Sequence, residues 1–215
     1  MKHSWIICLL FIATNSTAQS CAHLIKQLDT IHNDDQIGRS QLQLVQAKFG
    51  GQSTEMNMLL SMIRRKDSVN QLKVGSILDK YGWLGPAEIG AQGNQTLFLV
   101  IQHAERPVQE KYFDLMKKAV ESGKLKASSF ALLEDRLALK QGKYQIYGSQ
   151  IRWDMSSNSY QVMPIRDPEH VDIRRANVGL PPISVYLLEL GIEWDIVKYK
   201  MYVSKLALEL GLKNE

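Results

Sequence analysis

Apolar residues return at helical intervals along nearly all of this 215-residue chain, and that rhythm confines it to a mainly α fold. Leu24, Ile25, Leu28 and Ile31, then Leu42 and Val45, mark a segment from Ala22 to about Lys48 that Gly50-Gly51 stops. A second runs from Met56 to Tyr81 through Leu59, Leu60, Ile63, Val74, Ile77 and Leu78. Its middle, Arg64 to Gln71, is polar enough to break the helix or to face solvent. Gly82-Trp83-Leu84-Gly85-Pro86 reads as a turn, with Pro86 opening a short helix where its missing amide hydrogen would have no partner anyway. Asn94 can cap the helix after it, whose run Leu97-Phe98-Leu99-Val100-Ile101 is apolar all round. A helix with no polar side belongs in the centre of a bundle; a buried strand is the competing reading of those five residues.

Pro107 starts another helix with a stripe of Val108, Tyr112, Leu115, Met116, Ala119 and Val120, ended by Gly123. Ser128 or Ser129 can cap the next, Phe130 to Lys140, closed by Gly142. Only then does the period fall to two. Tyr144 to Trp153 and Tyr160 to Ile165 read as strands joined through Ser156-Ser157-Asn158. Asp167 as cap and Pro168 as first residue start a further helix, and Gly179-Leu180-Pro181-Pro182 stops it. The tail, 184–212, is helical with a break near Gly191. The expected fold is a helical bundle carrying one small β-hairpin, and residues 22–215 are long enough to bury a sizeable core as one domain.

The start of the chain follows the three-part plan of an export signal: Met1-Lys2-His3-Ser4, an apolar run from Trp5 to Ala13, then small polar residues to Ser20. Ser16-Thr17-Ala18 places the cut after Ala18, so residues 1–18 are expected to be removed and the rest to be periplasmic or secreted. No stretch reaches the roughly 20 apolar residues that a membrane-crossing helix needs. Cys8 leaves with the signal, so Cys21 is the one remaining thiol and no internal disulfide forms. A lipid anchor at Cys21 is the alternative to free release. With Lys2 gone the formal charge falls from +4 to +3, 25 basic against 22 acidic groups. The basic residues are scattered, without the Lys/Arg stripe and interleaved aromatics of a nucleic-acid groove.

Polar residues stand where apolar ones are expected. Gln102 and His103 close the most apolar helix, and an imidazole there is either a satisfied core histidine or a general acid or base. Glu134-Asp135-Arg136 interrupts a second apolar helix and spans most of a turn, so at least one charge approaches the core. Asp35 and Arg39, four apart, are neighbours on one face, and Gln36 stands beside them. On the first expected strand Gln145, Tyr147 and Ser149 share a face, with Gln150 following, and Gly148 leaves room for another backbone or a ligand. Arg174-Arg175 suits a carboxylate or phosphate, or is neutralised locally by Asp167, Glu169 and Asp172. Zinc motifs, a glycine-rich phosphate loop and a Gly-x-Ser-x-Gly elbow are missing from the sequence. His32, Asp35 and His103 have a spacing too common to argue for a metal, and no metal or cofactor is expected.

Six polar islands in order complete the reading: Asp35-Gln36-x-x-Arg39, Leu78-Asp79-Lys80-Tyr81-Gly82-Trp83, Gln102-His103-Ala104, Glu134-Asp135-Arg136, Gln145-x-Tyr147-Gly148-Ser149-Gln150 and Arg174-Arg175-x-x-x-Gly179-Leu180-Pro181-Pro182. The series resembles DUF6624, a bacterial family of unknown function, over about residues 24–182. This chain has Glu105 where the family more often has Asp, and Ser149 where it often has Thr. The resemblance implies no activity, but residues that mark a family are poorer candidates for accidental ion pairs.

Two functions follow as expectations. One is a small hydrolase with His103 as general acid or base, oriented by Asp135 or Glu134. In it Arg39, Arg136, Arg174 or Arg175 neutralises a substrate anion, and Asp35, Gln36, Gln102, Gln145, Tyr147 and Gln150 complete the substrate contacts. The other is a non-catalytic domain that binds a small molecule or peptide, its polar residues locking the bundle.

Overall fold

The computed structural model describes residues 5–154 and 159–213, with residues 5–21 described as backbone alone. The expected signal, its cut after Ala18 and the Cys21 side chain therefore lie outside the described side chains, and the hairpin turn Ser156-Ser157-Asn158 lies outside the described residues. The chain is mainly α, with a single two-stranded antiparallel hairpin among the described residues. It divides into two compact units, Met1–Val108 and Gln109–Glu215.

In the first unit, α1 (Trp5–Arg39), α3 (Thr54–Tyr81) and α4 (Pro86–His103) pack on one another, and α2 (Leu42–Phe49) lies against α3. Leu28 and Ile31 of α1, Val74 of α3, and Leu97 and Ile101 of α4 are fully buried. Each such side chain contributes about 1.5–3 kcal/mol through the area it removes from water. Gly38 permits the approach of α1 to α3, because a Cβ there would stand 2.7 Å from Cγ1 of Ile63.

The polar middle of α3 neither breaks the helix nor wholly faces solvent. Ser53 caps α3 by accepting from the Met56 amide at 3.1 Å, and the helix then runs unbroken with Asn70 fully buried. The run Leu97-Phe98-Leu99-Val100-Ile101 is helical, as expected, and the competing strand does not form. The break in α4 falls at Gly90 (φ 75°) rather than at Asn94. Only glycine adopts that backbone without strain. Asn94 does not cap; its Nδ2 donates to the Leu84 carbonyl at 2.7 Å and ties the long arm of α4 to the turn before it.

The second unit holds most of α5 (Arg106–Glu121), then α6 (Ala127–Lys140), β1 (Ile151–Asp154), β2 (Ser159–Val162), a 3-10 turn at Pro168–His170, α7 (Val171–Asn177), α8 (Ile183–Leu188) and α9 (Ile196–Glu209). Lys126, not Ser128 or Ser129, precedes α6 as its cap residue. The hairpin pairs Ile151 with Val162 and Trp153 with Tyr160, the last two rings meeting edge to face at 4.8 Å. Asp167 does not cap either. It takes a left-handed backbone (φ 44°), and its carboxylate accepts from Nδ1 of His170 at 2.9 Å. Val162, Ile165, Val171, Ile183, Leu187 and Tyr199 form the core of this part.

Residues 144–150 are a loop, which corrects the strand expected from their alternation. Gln145 keeps one bridge, to Ile165, and the loop then turns at Gly148 (φ 72°). Its amides are drawn to the Asp135 carboxylate instead of to a neighbouring strand.

Candidate functional site

Each unit surrounds one buried carboxylate with polar groups, and the two arrangements differ in kind. Asp35, on α1, is 1% exposed. Its Oδ1 faces Nδ1 of His103 on α4 at 3.0 Å, a pairing across 68 positions of sequence. Its Oδ2 accepts from Nε2 of Gln36 at 2.7 Å. Nη1 of Arg39 donates to the Asp35 carbonyl at 2.7 Å and lies 3.3 Å from Oδ1, while Nη2 donates to Oδ2 of Asp67 at 2.8 Å. Asp67 comes from the polar middle of α3, which the periodicity had given no role.

Burial alone would raise the Asp35 carboxyl. The hydrogen bond and charge of His103 oppose it, then the Arg39 charge and the Gln36 amide, and together they hold it below the usual carboxylate range. An ionised carboxylate only accepts, so the imidazole presents Nδ1–H to it and, in its neutral form, keeps the Nε2 lone pair for another partner. The His103 side chain is 18% exposed, so that nitrogen belongs to a group solvent reaches. Gln102, one residue earlier, is buried. His32 does not join the group; its Nδ1 lies 3.3 Å from Oγ1 of Thr96.

The carboxylate at His103 is thus Asp35, in the place expected of Asp135 or Glu134. Periodicity could put Asp35 and Arg39 on one face of a helix, but not say which distant helix met that face.

Asp135, on α6 and fully buried, accepts from main chain instead. Oδ1 takes the amides of Ile146 and Tyr147 at 2.6 and 2.9 Å, and Oδ2 takes the amide of Ser149 at 2.8 Å. Burial pushes its carboxyl up, against the pull of those amides. Gln145, also fully buried, donates Nε2 to the carbonyls of Gln150 and Met163 and accepts the Gln150 amide at Oε1. Arg175 is 1% exposed and donates Nε to the Pro181 carbonyl and Nη1 to the Tyr147 carbonyl, at 2.6 and 2.7 Å. Its guanidinium also stacks over the Tyr186 ring, whose hydroxyl donates to the Ser149 carbonyl. Arg174 donates Nε to the Ile146 carbonyl at 2.9 Å.

The structure thus places several of the residues expected to touch a substrate within this loop network. Gln145, Arg174 and Arg175 are engaged by the loop itself, and Gln150 donates Nε2 to Oγ of Ser149. Arg39 is likewise held between Asp35 and Asp67. Tyr147 donates its hydroxyl to Glu134 at 3.2 Å, and burial with the Glu134 charge pushes that phenol up to about 12. Burial, and then the adjacent Asp135 charge, raise Glu134 despite this bond. Arg136 follows on α6, partly buried. Gly148 is required on two counts, a left-handed backbone and space: a Cβ would stand 2.7 Å from Ile183 and 2.8 Å from Ile165. Tyr186 is the partner that sequence reasoning missed, since an apolar stretch gives no signal for one hydroxyl aimed back at a loop.

No helix among the described residues is long and apolar enough to cross a membrane. No curated protein and no solved structure matches the chain. The family expected from the six polar islands does match, over residues 22–197, and the chain belongs to it: the family of unknown function DUF6624.

Proposed function

We propose that this chain is an exported hydrolase in which His103 is the general base and Asp35 the group that orients it. The observation that carries this reading is the 3.0 Å contact between Nδ1 of His103 and a buried carboxylate held below its ordinary range. Asp35 fixes the tautomer, so Nε2 is the basic atom. A water attacking an acyl or phosphoryl centre gives its proton to Nε2 as the new oxygen bond forms. The imidazolium then returns that proton to the leaving group as the old bond breaks, and Asp35 stabilises the cation in between. Arg39, braced by Asp67, reaches the same carboxylate oxygen as the imidazole, and Gln36 holds the other. The signal-like start of the chain supports export.

His103→Gln and Asp35→Asn test this in the full chain against chromogenic esters, anilides and phosphoesters. The expected result is a rate loss of about 100- to 10,000-fold in each variant, with helix content unchanged by circular dichroism. A His103→Gln variant that turns over at the parent's rate removes His103 from the chemistry.

The second reading, a non-catalytic domain that binds a small molecule or peptide, draws on the second unit, where the motif residues are spent on holding a loop. It predicts that a ligand found by screening binds the His103→Gln variant as tightly as the parent and is recovered unchanged.

A further inference from the structure

Two hollows of about 350 and 410 Å3 open side by side in the first unit, and both are bounded by His23, Gln27 and Lys73. Lys26 borders one and Lys80 the other. On α1 His23 stands three and four residues before Lys26 and Gln27, and Thr30 four and three after them; Lys73, Ser76, Ile77 and Lys80 repeat that spacing on α3. Each set is therefore one stripe along its helix, and α1 packs against α3.

The electrostatics of the groove are one-sided. Among the described residues, no carboxylate lines either hollow. Two other cations of this unit do have carboxylate partners: Arg39 has Asp35 and Asp67, and Lys66 has Asp34. Lys26 and Lys73 have no such partner among the described residues, although Lys73 is partly buried. The Lys80 ammonium lies over the Tyr81 ring at 4.8 Å, with no ion pair among the described residues. Asp29 on α1 is engaged by Nε2 of Gln92. Ammonium groups left together and unneutralised repel one another, and an anion removes that repulsion while accepting their hydrogen bonds. Below the charges, Ile31 and Ile77 give the groove an apolar floor, which suits an anion attached to a carbon body.

We infer that this groove binds a phosphate monoester or diester, its phosphate held by Lys26, Lys73 and Lys80 with the Gln27 amide as a further donor. Two sources carry that chemistry, the headgroup of an anionic phospholipid and a free phosphate ester. The inference is independent of the His103 reading, since it uses none of those residues.

The full chain and its K26E/K73E variant are compared in two assays. One measures sedimentation with phosphatidylcholine vesicles, with and without phosphatidylglycerol. The other follows glycerol phosphate titrations by NMR. The expected result is binding to at least one probe, weakened at least tenfold by the charge reversal and reversed by high salt. Binding to phosphatidylglycerol vesicles without saturable shifts from glycerol phosphate identifies a headgroup site, and saturable shifts identify a free ester. Should the reversal lower helix content, K26Q/K73Q replaces it, with the same direction expected. A parent that binds neither probe at low salt overturns the inference, and so does a correctly folded variant that binds as tightly as the parent.

Discussion

Asp35 and Asp135 begin from the same predicament, a carboxylate on a helix with almost no contact with solvent, and end as opposites. Asp35 is met by side chains, an imidazole, a guanidinium and an amide, and its carboxyl is held low. Asp135 is met chiefly by three backbone amides, with the Ser149 hydroxyl, and is pushed up, because burial outweighs hydrogen bonds from groups that carry no net charge. The difference lies in what each neighbour is able to do. An imidazole takes and returns a proton, whereas a backbone amide only holds position. One unit therefore has a group suited to chemistry, and the other has a knot.

The largest effect that should separate them is Asp135→Ala. Three amides lose their acceptor inside the protein, and denaturant unfolding is expected to show a loss of about 3–5 kcal/mol. A loss below about 1 kcal/mol would show that water reaches those amides and that the knot is not one. Gly148→Ala attacks the same loop through its backbone. A left-handed alanine whose Cβ falls within 2.8 Å of two isoleucines is expected to cost about 1–3 kcal/mol, read as a lowered melting temperature.

Asp35→Asn should cost less, about 1–2 kcal/mol, because Arg39 keeps Asp67. Here pH sharpens the contrast. A carboxyl held low in the fold adds stability that is present above the unfolded value of about 3.9 and is lost as pH falls through the lower folded value. The stability gap between parent and Asp35→Asn should therefore close on acidification. A carboxyl pushed up behaves in reverse: its contribution is full below the unfolded value and is lost as pH rises through the folded one. The gap between parent and Asp135→Asn should therefore widen on acidification. Parallel trends in urea titrations across pH would erase the distinction. The smallest effect belongs to Gln36→Ala, about 0.5 kcal/mol for one partly exposed hydrogen bond to Asp35.

What the sequence disclosed follows the range of the forces involved. Helices were legible because burial repeats every turn: the stripes of α1, α3 and α5 could be read from Leu28, Val74 and Met116 and their neighbours. The polar islands were legible as residues out of place, and Asp35 with Arg39 as a local pair. The partner of His103 was not, because a contact across 68 positions leaves no trace in local spacing. Residues 144–150 misled for a related reason. Their alternation has the period of a strand, but a buried acceptor eleven to fourteen residues upstream claims their amides and bends them into a loop. Asp67 was hidden in a polar stretch of α3, where one inward-facing carboxylate looks like its solvated neighbours.

The amide of Lys213 donates to the Gly142 carbonyl at 2.7 Å, and the Lys213 carbonyl accepts the Tyr144 amide at 3.1 Å. That small clasp joins positions some seventy residues apart, directly before the loop that Asp135 gathers. It sets an order of events. A chain made or threaded from its N-terminal side onward can assemble α1, α3 and α4 early, while the second unit waits for Lys213 before the ring shuts. An interrupted translation product would carry the proposed His103 dyad complete and the Asp135 loop unclasped.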